Sequence, residues 1–104
     1  MVAAARREIL VRTLYEKGKC TMVELARELG VTHRTIKTDI DILTSDYRYP
    51  VETIRGNGGG IRFSEGFSPY KGLLTYEQRQ AVQSAIETAR PNYAEHLKKI
   101  LEDF

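Results

Sequence analysis

The sequence predicts a mostly α-helical chain carrying one small β-hairpin, and three observations predict it. Apolar residues recur at helical spacing in five segments. Ser/Thr-x-x-Glu/Gln signals open several of these segments, and near residues 51–64 the pattern changes to alternation around a glycine tract. At 104 residues the chain has room for one small domain with an appendage.

The first helix runs from Val2 to Lys17, a stretch free of glycine and proline. Ile9, Leu10, Thr13 and Leu14 fall on one face, with Arg6, Arg7, Arg12 and Glu16 around them. Gly18 supplies a residue suited to ending it. Thr21 then opens "TMVE", a capping box with Glu24, and the second helix carries Val23, Leu25, Ala26 and Leu29 up to Gly30. Only "GVT" separates this end from the next start, where Thr32 caps "HRTIKTDIDIL" and Ile36, Ile40 and Leu43 recur at i, i+4 and i+7. Two helices joined by so tight a turn must cross steeply. That is helix-turn-helix geometry, with Ala26 allowing close approach, Gly30 in the turn and Val31 filling the space between.

After "TSDYRYP", residues 51–55 and 61–64 alternate on either side of "GNGGG", which predicts a hairpin. A dinucleotide fingerprint needs its third glycine where Ile61 stands and a helix afterwards. A Walker-type loop needs Lys followed by Ser or Thr after the last glycine, so neither phosphate-binding motif is present. The glycines are expected to supply positive φ angles and a tip free of side chains that approaches another backbone closely. A hairpin placed after a helix-turn-helix is a wing, which makes residues 1–66 a winged helix-turn-helix domain.

Residues 67–104 read as a linker and a two-helix tail. Thr75 opens "TYEQ", and Val82, Ala85, Ile86 and Ala89 form a stripe that Pro91 is expected to interrupt. Asn92 is expected to cap the last helix, with Leu97, Ile100, Leu101 and Phe104 along one face. The seam of Val82, Ile86, Leu97, Ile100, Leu101 and Phe104 is a candidate homodimer contact, with packing onto the first helix of its own chain as the alternative.

The second helix of a helix-turn-helix offers its N-terminal side chains to base edges in the major groove. Off the apolar stripe of residues 32–45 stand His33, Arg34, Lys37, Thr38 and Asp41. Arg34 and Lys37 suit guanine acceptors or phosphates, His33 suits either, and Thr38 suits a base or a thymine methyl. Thr32 and Thr35 flank the helix start, where free amides and the dipole favour phosphate oxygens. On the wing, residues 55–62, Arg55, Asn57 and Arg62 are candidates for the backbone or minor groove. Asp39 is expected to be a structural partner for an arginine of the first helix, because a carboxylate repels phosphates.

Taken together, "RREIL…TMVELARELGVTHRTIKTDIDIL" and "PVETIRGNGGGIRF" resemble the winged N-terminal domain of DeoR-type bacterial transcriptional regulators, especially those with a downstream WYL domain. The resemblance spans roughly residues 5 to 65. It implies a recognition helix at residues 32–45, a wing at 55–62 and double-stranded DNA as partner. Thr38 stands where the family commonly has an arginine. The chain ends before a WYL or sugar-phosphate-sensing domain, so no small-molecule ligand is expected within it.

Composition agrees with a cytoplasmic regulator. There is no secretory signal and no apolar run near the length of a membrane span. Cys20 is the sole cysteine, so no internal disulfide or multi-cysteine metal site is possible. Residues 1–66 hold eleven basic and nine acidic side chains, against five of each in the tail. So small an excess makes placement, not total charge, the argument for nucleic acid. His33 and His96 fall on different helices and no nucleophile elbow or metal-ligand spacing occurs, so no catalytic residue, metal or cofactor is expected. The competing reading is a protein-interaction module on a winged-helix scaffold that has lost DNA binding, favoured by Thr38, Asp39, Asp41 and Asp46.

Overall fold

The computed structural model describes all 104 residues. Its order is α1 (Ala3–Lys17), α2 (Met22–Leu29), α3 (His33–Ser45), β1 (Val51–Ile54), β2 (Gly60–Phe63), α4 (Tyr76–Thr88) and α5 (Pro91–Asp103). This is the expected class: a winged helix-turn-helix followed by a helical pair. By contacts the chain divides into two compact units, Met1–Phe67 and Ser68–Phe104.

In the first unit the local signals act as their chemistry requires. Gly18 takes a φ of 78° and returns its N–H to the Leu14 carbonyl at 2.9 Å, closing α1. The Thr21 hydroxyl accepts from the Glu24 amide at 3.0 Å and starts α2 as a simple N-cap, without the reciprocal Glu24 side-chain bond of the expected capping box, and Gly30 ends it in the left-handed conformation, φ 66° and ψ 35°. Thr32 accepts from the Thr35 amide at 3.2 Å and starts α3.

The core is Leu10, Val11 and Leu14 of α1, Cys20, Leu25 of α2, Ile36, Ile40 and Leu43 of α3, and Ile61 of β2. Ala26 and Val31, the residues expected where the two helices meet, are partly buried against it. Each large side chain enclosed this way favours folding by about 1.5–3 kcal/mol over leaving it in water.

The hairpin is antiparallel with Val51 opposite Phe63, Glu52 opposite Arg62, Thr53 opposite Ile61 and Ile54 opposite Gly60. It is not free-standing. Cys20 forms a β-bridge with Ile61, its N–H donating at 3.1 Å and its carbonyl accepting at 2.8 Å, so the α1–α2 connection acts as a one-residue third strand. Tyr49 and Phe67 pack on Phe63, with ring centroids 6.1 and 5.2 Å from it, at the base of the hairpin.

In the second unit Thr75 and Gln78 complete a reciprocal capping box, with bonds of 3.1 and 2.9 Å. The start of α5 differs from expectation. Arg90 takes the N-cap position and Pro91 is the first helical residue, so Asn92 lies inside the helix. Proline suits that place because its missing N–H would have no helical partner there. At the other end, the carbonyls of Leu101, Glu102, Asp103 and Phe104 accept from Arg79 (3.0 Å), Lys71 (2.7 Å), Ser68 Oγ (2.6 Å) and the Gly72 amide (2.7 Å). The segment before α4, together with Arg79 of α4 itself, thus satisfies groups that a helix terminus leaves open. No apolar side chain of this unit is buried. No helix of the chain is long and apolar enough to cross a membrane.

Candidate nucleic-acid interface

The apolar stripe of α3 faces the core and turns His33, Arg34, Lys37 and Thr38 outward, all four exposed. Arg34 forms no ion pair within the chain. Lys37 lies 3.8 Å from Asp41 one turn later, with both side chains about two-thirds exposed, a loose surface pair. The Thr38 hydroxyl donates to the Arg34 carbonyl at 3.1 Å, which folds it along the helix. Thr32 and Thr35 hydroxyls lie 3.0 Å apart and belong to the helix cap.

Asp39 sits on the same helix and is absent from that outward face. Its carboxylate is fully buried, receiving Arg6 Nε at 2.6 Å and Arg6 Nη2 at 2.9 Å, with Arg7 Nη1 at 3.3 Å. Burial pushes its pKa up, but the hydrogen bonds and charges of Arg6, then Arg7, outweigh burial and hold it below the ordinary carboxylate value. This is the arginine partnership on the first helix that the sequence suggests. It removes a negative charge from the surface that carries Arg34 and Lys37.

The glycine tract has two functions within the fold itself. A Cβ on Gly59 would lie 2.3 Å from the Ile54 carbonyl oxygen, and one on Gly60 would lie 2.7 Å from the Cys20 carbonyl oxygen. Gly60 also holds a φ of 146°. The close backbone approach expected of the tract is therefore made to this chain's own β1 and α1–α2 connection. Gly56 and Gly58 instead take positive φ at the tip, where nothing crowds them.

Of the wing candidates, Arg55 and Asn57 are exposed at the turn. Arg62 is held by its cross-strand neighbour Glu52 at 3.1 Å, each about half exposed. An open groove of about 660 Å³ runs between the wing and the start of α2, lined by His33 and Asn57 together with Lys19, Thr21 and Glu24. It brings one recognition-helix candidate and one wing candidate to the same concavity. Lys19, not singled out by sequence, donates to the Gly58 carbonyl and ties the wing tip to the α1–α2 connection. No sequence pattern joins residues 39 positions apart, so that contact is legible only in the fold.

The tail candidates Val82, Ile86, Leu97, Ile100, Leu101 and Phe104 are all half-buried in the unit where α4 packs on α5. Two helices alone leave one flank of each such residue open. His33 and His96 lie on separate helices, and no three His, Cys, Asp or Glu side chains converge as metal ligands.

A family model described as an HTH domain matches residues 6–62, just over half of the chain. The chain belongs to that helix-turn-helix family. The match runs from Arg6, the fourth residue of α1, through all but the last residue of β2, so it takes in both the Arg6–Asp39 contact and the wing. Membership supports a DNA-binding regulator in general. No solved structure matches the chain.

Proposed function

We propose that this helix-turn-helix protein is a sequence-specific, double-stranded DNA-binding transcriptional regulator of the DeoR/WYL type. Residues 1–66 form the DNA-binding domain. Residues 32–45 enter the major groove with His33, Arg34, Lys37 and Thr38 toward base edges, Thr32 and Thr35 lie against phosphate, and wing residues 55–62 reach the backbone or minor groove through Arg55 and Asn57. Arg62 contributes once it exchanges Glu52 for a phosphate. The observation that carries this reading is the placement of charge on α3: Arg34 and Lys37 are exposed near its start, Asp39 is withdrawn and neutralised, and the remaining carboxylate, Asp41, is a loose surface partner of Lys37.

A single winged helix with so few free cations makes few phosphate contacts, so two copies are needed to read a site firmly. The tail, residues 67–104, supplies the dimer contact through Val82, Ile86, Leu97, Ile100, Leu101 and Phe104. Their half-buried state favours this, since a second helical pair would cover the open flank and make a four-helix bundle. The interaction-module reading draws on one feature, the engagement of Lys37, Thr38 and Arg62 by neighbours within the chain.

The test is an anisotropy titration of the whole chain against a duplex selected by it from a random library, with a scrambled duplex as control and salt varied. Arg34→Ala should reduce preference for the selected duplex about 5- to 150-fold, the range of one good base contact. Lys37→Ala should weaken both duplexes and lower the salt slope by about one if it holds a phosphate. Equal binding of the two duplexes, untouched by either change, would overturn specific recognition; failure to bind any duplex would favour the interaction module.

A further inference from the structure

We propose that Arg6 and Arg7 are positioning residues: their guanidinium groups, closed around the buried Asp39 carboxylate, fix the rotation of α3 about its own axis and so the set of side chains offered to DNA. The DNA half of this statement rests on the reading of α3 above; the mechanical half stands on the contacts alone.

The apolar face of α3 cannot set its rotation finely. Ile36, Ile40 and Leu43 bury in one apolar cluster with residues of α1, α2 and β2, through contacts that are non-directional and survive small rotations with little loss. A planar guanidinium meeting a carboxylate through two N–H groups is directional. Arg6 meets Asp39 this way, at 2.6 and 2.9 Å, and Arg7 adds a third bond at 3.3 Å from the next position of α1. Side-chain ends stand about 5–6 Å from a helix axis, so a 20° turn moves them about 2 Å. That displacement breaks these bonds. The same turn carries the base-reading atoms of the outward face beyond hydrogen-bond reach, since a binding constellation tolerates only about 0.5 Å and 10–20°.

Stability alone accounts poorly for the cluster. Two cations surround one carboxylate, and the buried Arg7 Nε has no partner. Buried ion groups of this kind are commonly no more stable than apolar residues of similar volume. What they add over an apolar filling is a defined geometry. The cluster also joins the first helix of the HTH match to its third, across 33 residues of sequence, which makes α1 the reference against which α3 is set.

Arg6→Lys keeps the charge and removes the fork. In the whole chain we expect a melting point and an affinity for scrambled duplex close to wild type. We expect shifted residual dipolar couplings for the α3 amides relative to those of α1 and α2, and about a tenfold fall in preference for the library-selected duplex. If Arg6→Lys does not fold, Arg7→Lys, which disturbs only the 3.3 Å contact, carries the same comparison with a smaller fall expected. Unchanged couplings with unchanged preference would overturn the proposal and leave the cluster a stabilising one. Lower melting with proportional loss on both duplexes would overturn it as well. If the wild-type chain selects no duplex, the DNA reading fails, and the couplings, measured without DNA, still decide whether the arginines set the helix.

Discussion

The two units of this protein are held together by different physics. Met1–Phe67 encloses nine apolar side chains and one fully buried carboxylate, drawn from all three helices, the connection between the first two and one strand. Ser68–Phe104 encloses no apolar side chain, and its two buried residues are polar, Ser68 and Asp103. Its cohesion comes from the α4–α5 seam, from five donors to carbonyls at the α5 carboxyl end (Ser68, Lys71, Gly72, Leu74 and Arg79), and from Tyr70 stacked on Phe104 at 5.4 Å. Apolar burial in a closed core is strong and self-sufficient. Hydrogen bonds near water contribute only about 0.5–1.5 kcal/mol each, so a unit that relies on them has reason to recruit further surface. The difference separates a unit closed around its own apolar core from one whose apolar seam stays half exposed.

Core truncation should divide the units most sharply. Leu14→Ala, at a position with no exposed surface, should cost about 2–5 kcal/mol. Ile86→Ala, at a half-buried seam position, should cost about 1 kcal/mol, from three carbons only partly removed from water. Amide hydrogen exchange read residue by residue assigns each loss to its unit. The contrast gains a second dimension with concentration: protection of residues 76–103 should rise with protein concentration in the wild type and less so in Ile86→Ala, whereas the Leu14 defect should not depend on it. Equal costs at both sites would mean that the tail is as self-contained as the winged domain.

The first unit was also the more legible in sequence, for the same reason. Its caps at Thr21 and Thr32, its stops at Gly18 and Gly30 and its stripe of Ile36, Ile40 and Leu43 are local signals, each readable within one or two turns. Asp39 was readable too, because a carboxylate on a prospective phosphate surface needs a neutralising partner. That both Arg6 and Arg7 supply it was not, since the choice depends on how α1 crosses α3. The glycine tract reads as a turn with close backbone approach, but the approaching backbone, Cys20, lies 40 positions from Gly60 and only the bridge to Ile61 reveals it. In the tail, two start signals compete at Asn92: proline at the first helical position overrides a side-chain cap two residues past the N-cap, Arg90.

Next in size is the wing junction. Gly60→Ala would set a methyl 2.7 Å from the Cys20 carbonyl oxygen and 2.9 Å from its carbon, at a φ of 146°. Neither backbone atom can yield cheaply, so a cost of about 2–4 kcal/mol is expected, confined to the first unit, with loss of exchange protection at the Cys20 and Ile61 amides. Gly72 in the second unit offers the matched control. It holds a φ of 86° with open space around the missing side chain, so Gly72→Ala should cost only the conformational penalty, about 1–2 kcal/mol. If the two substitutions cost the same, the hairpin is not locked to the α1–α2 connection.

Acid gives the smallest effect within the accessible range and the most selective one. The folded chain holds Asp39 below the ordinary aspartate value of about 3.8 at which the unfolded chain titrates it, so on acidification the unfolded state takes up this proton first. The carboxylate's contribution is therefore complete above the unfolded value, declines as pH falls past it and is gone below the folded value. Between pH 7 and pH 3 the urea midpoint of the first unit, followed by its core amides, should fall in wild type more than in Asp39→Asn, which has no proton to take up there. The Asn variant starts lower, because two arginines then face a neutral amide, and the two curves should converge as the wild-type carboxylate protonates. Parallel curves would mean that Asp39 does not govern the acid response, and that the arginine cluster holds α1 to α3 no more firmly than the apolar core beside it.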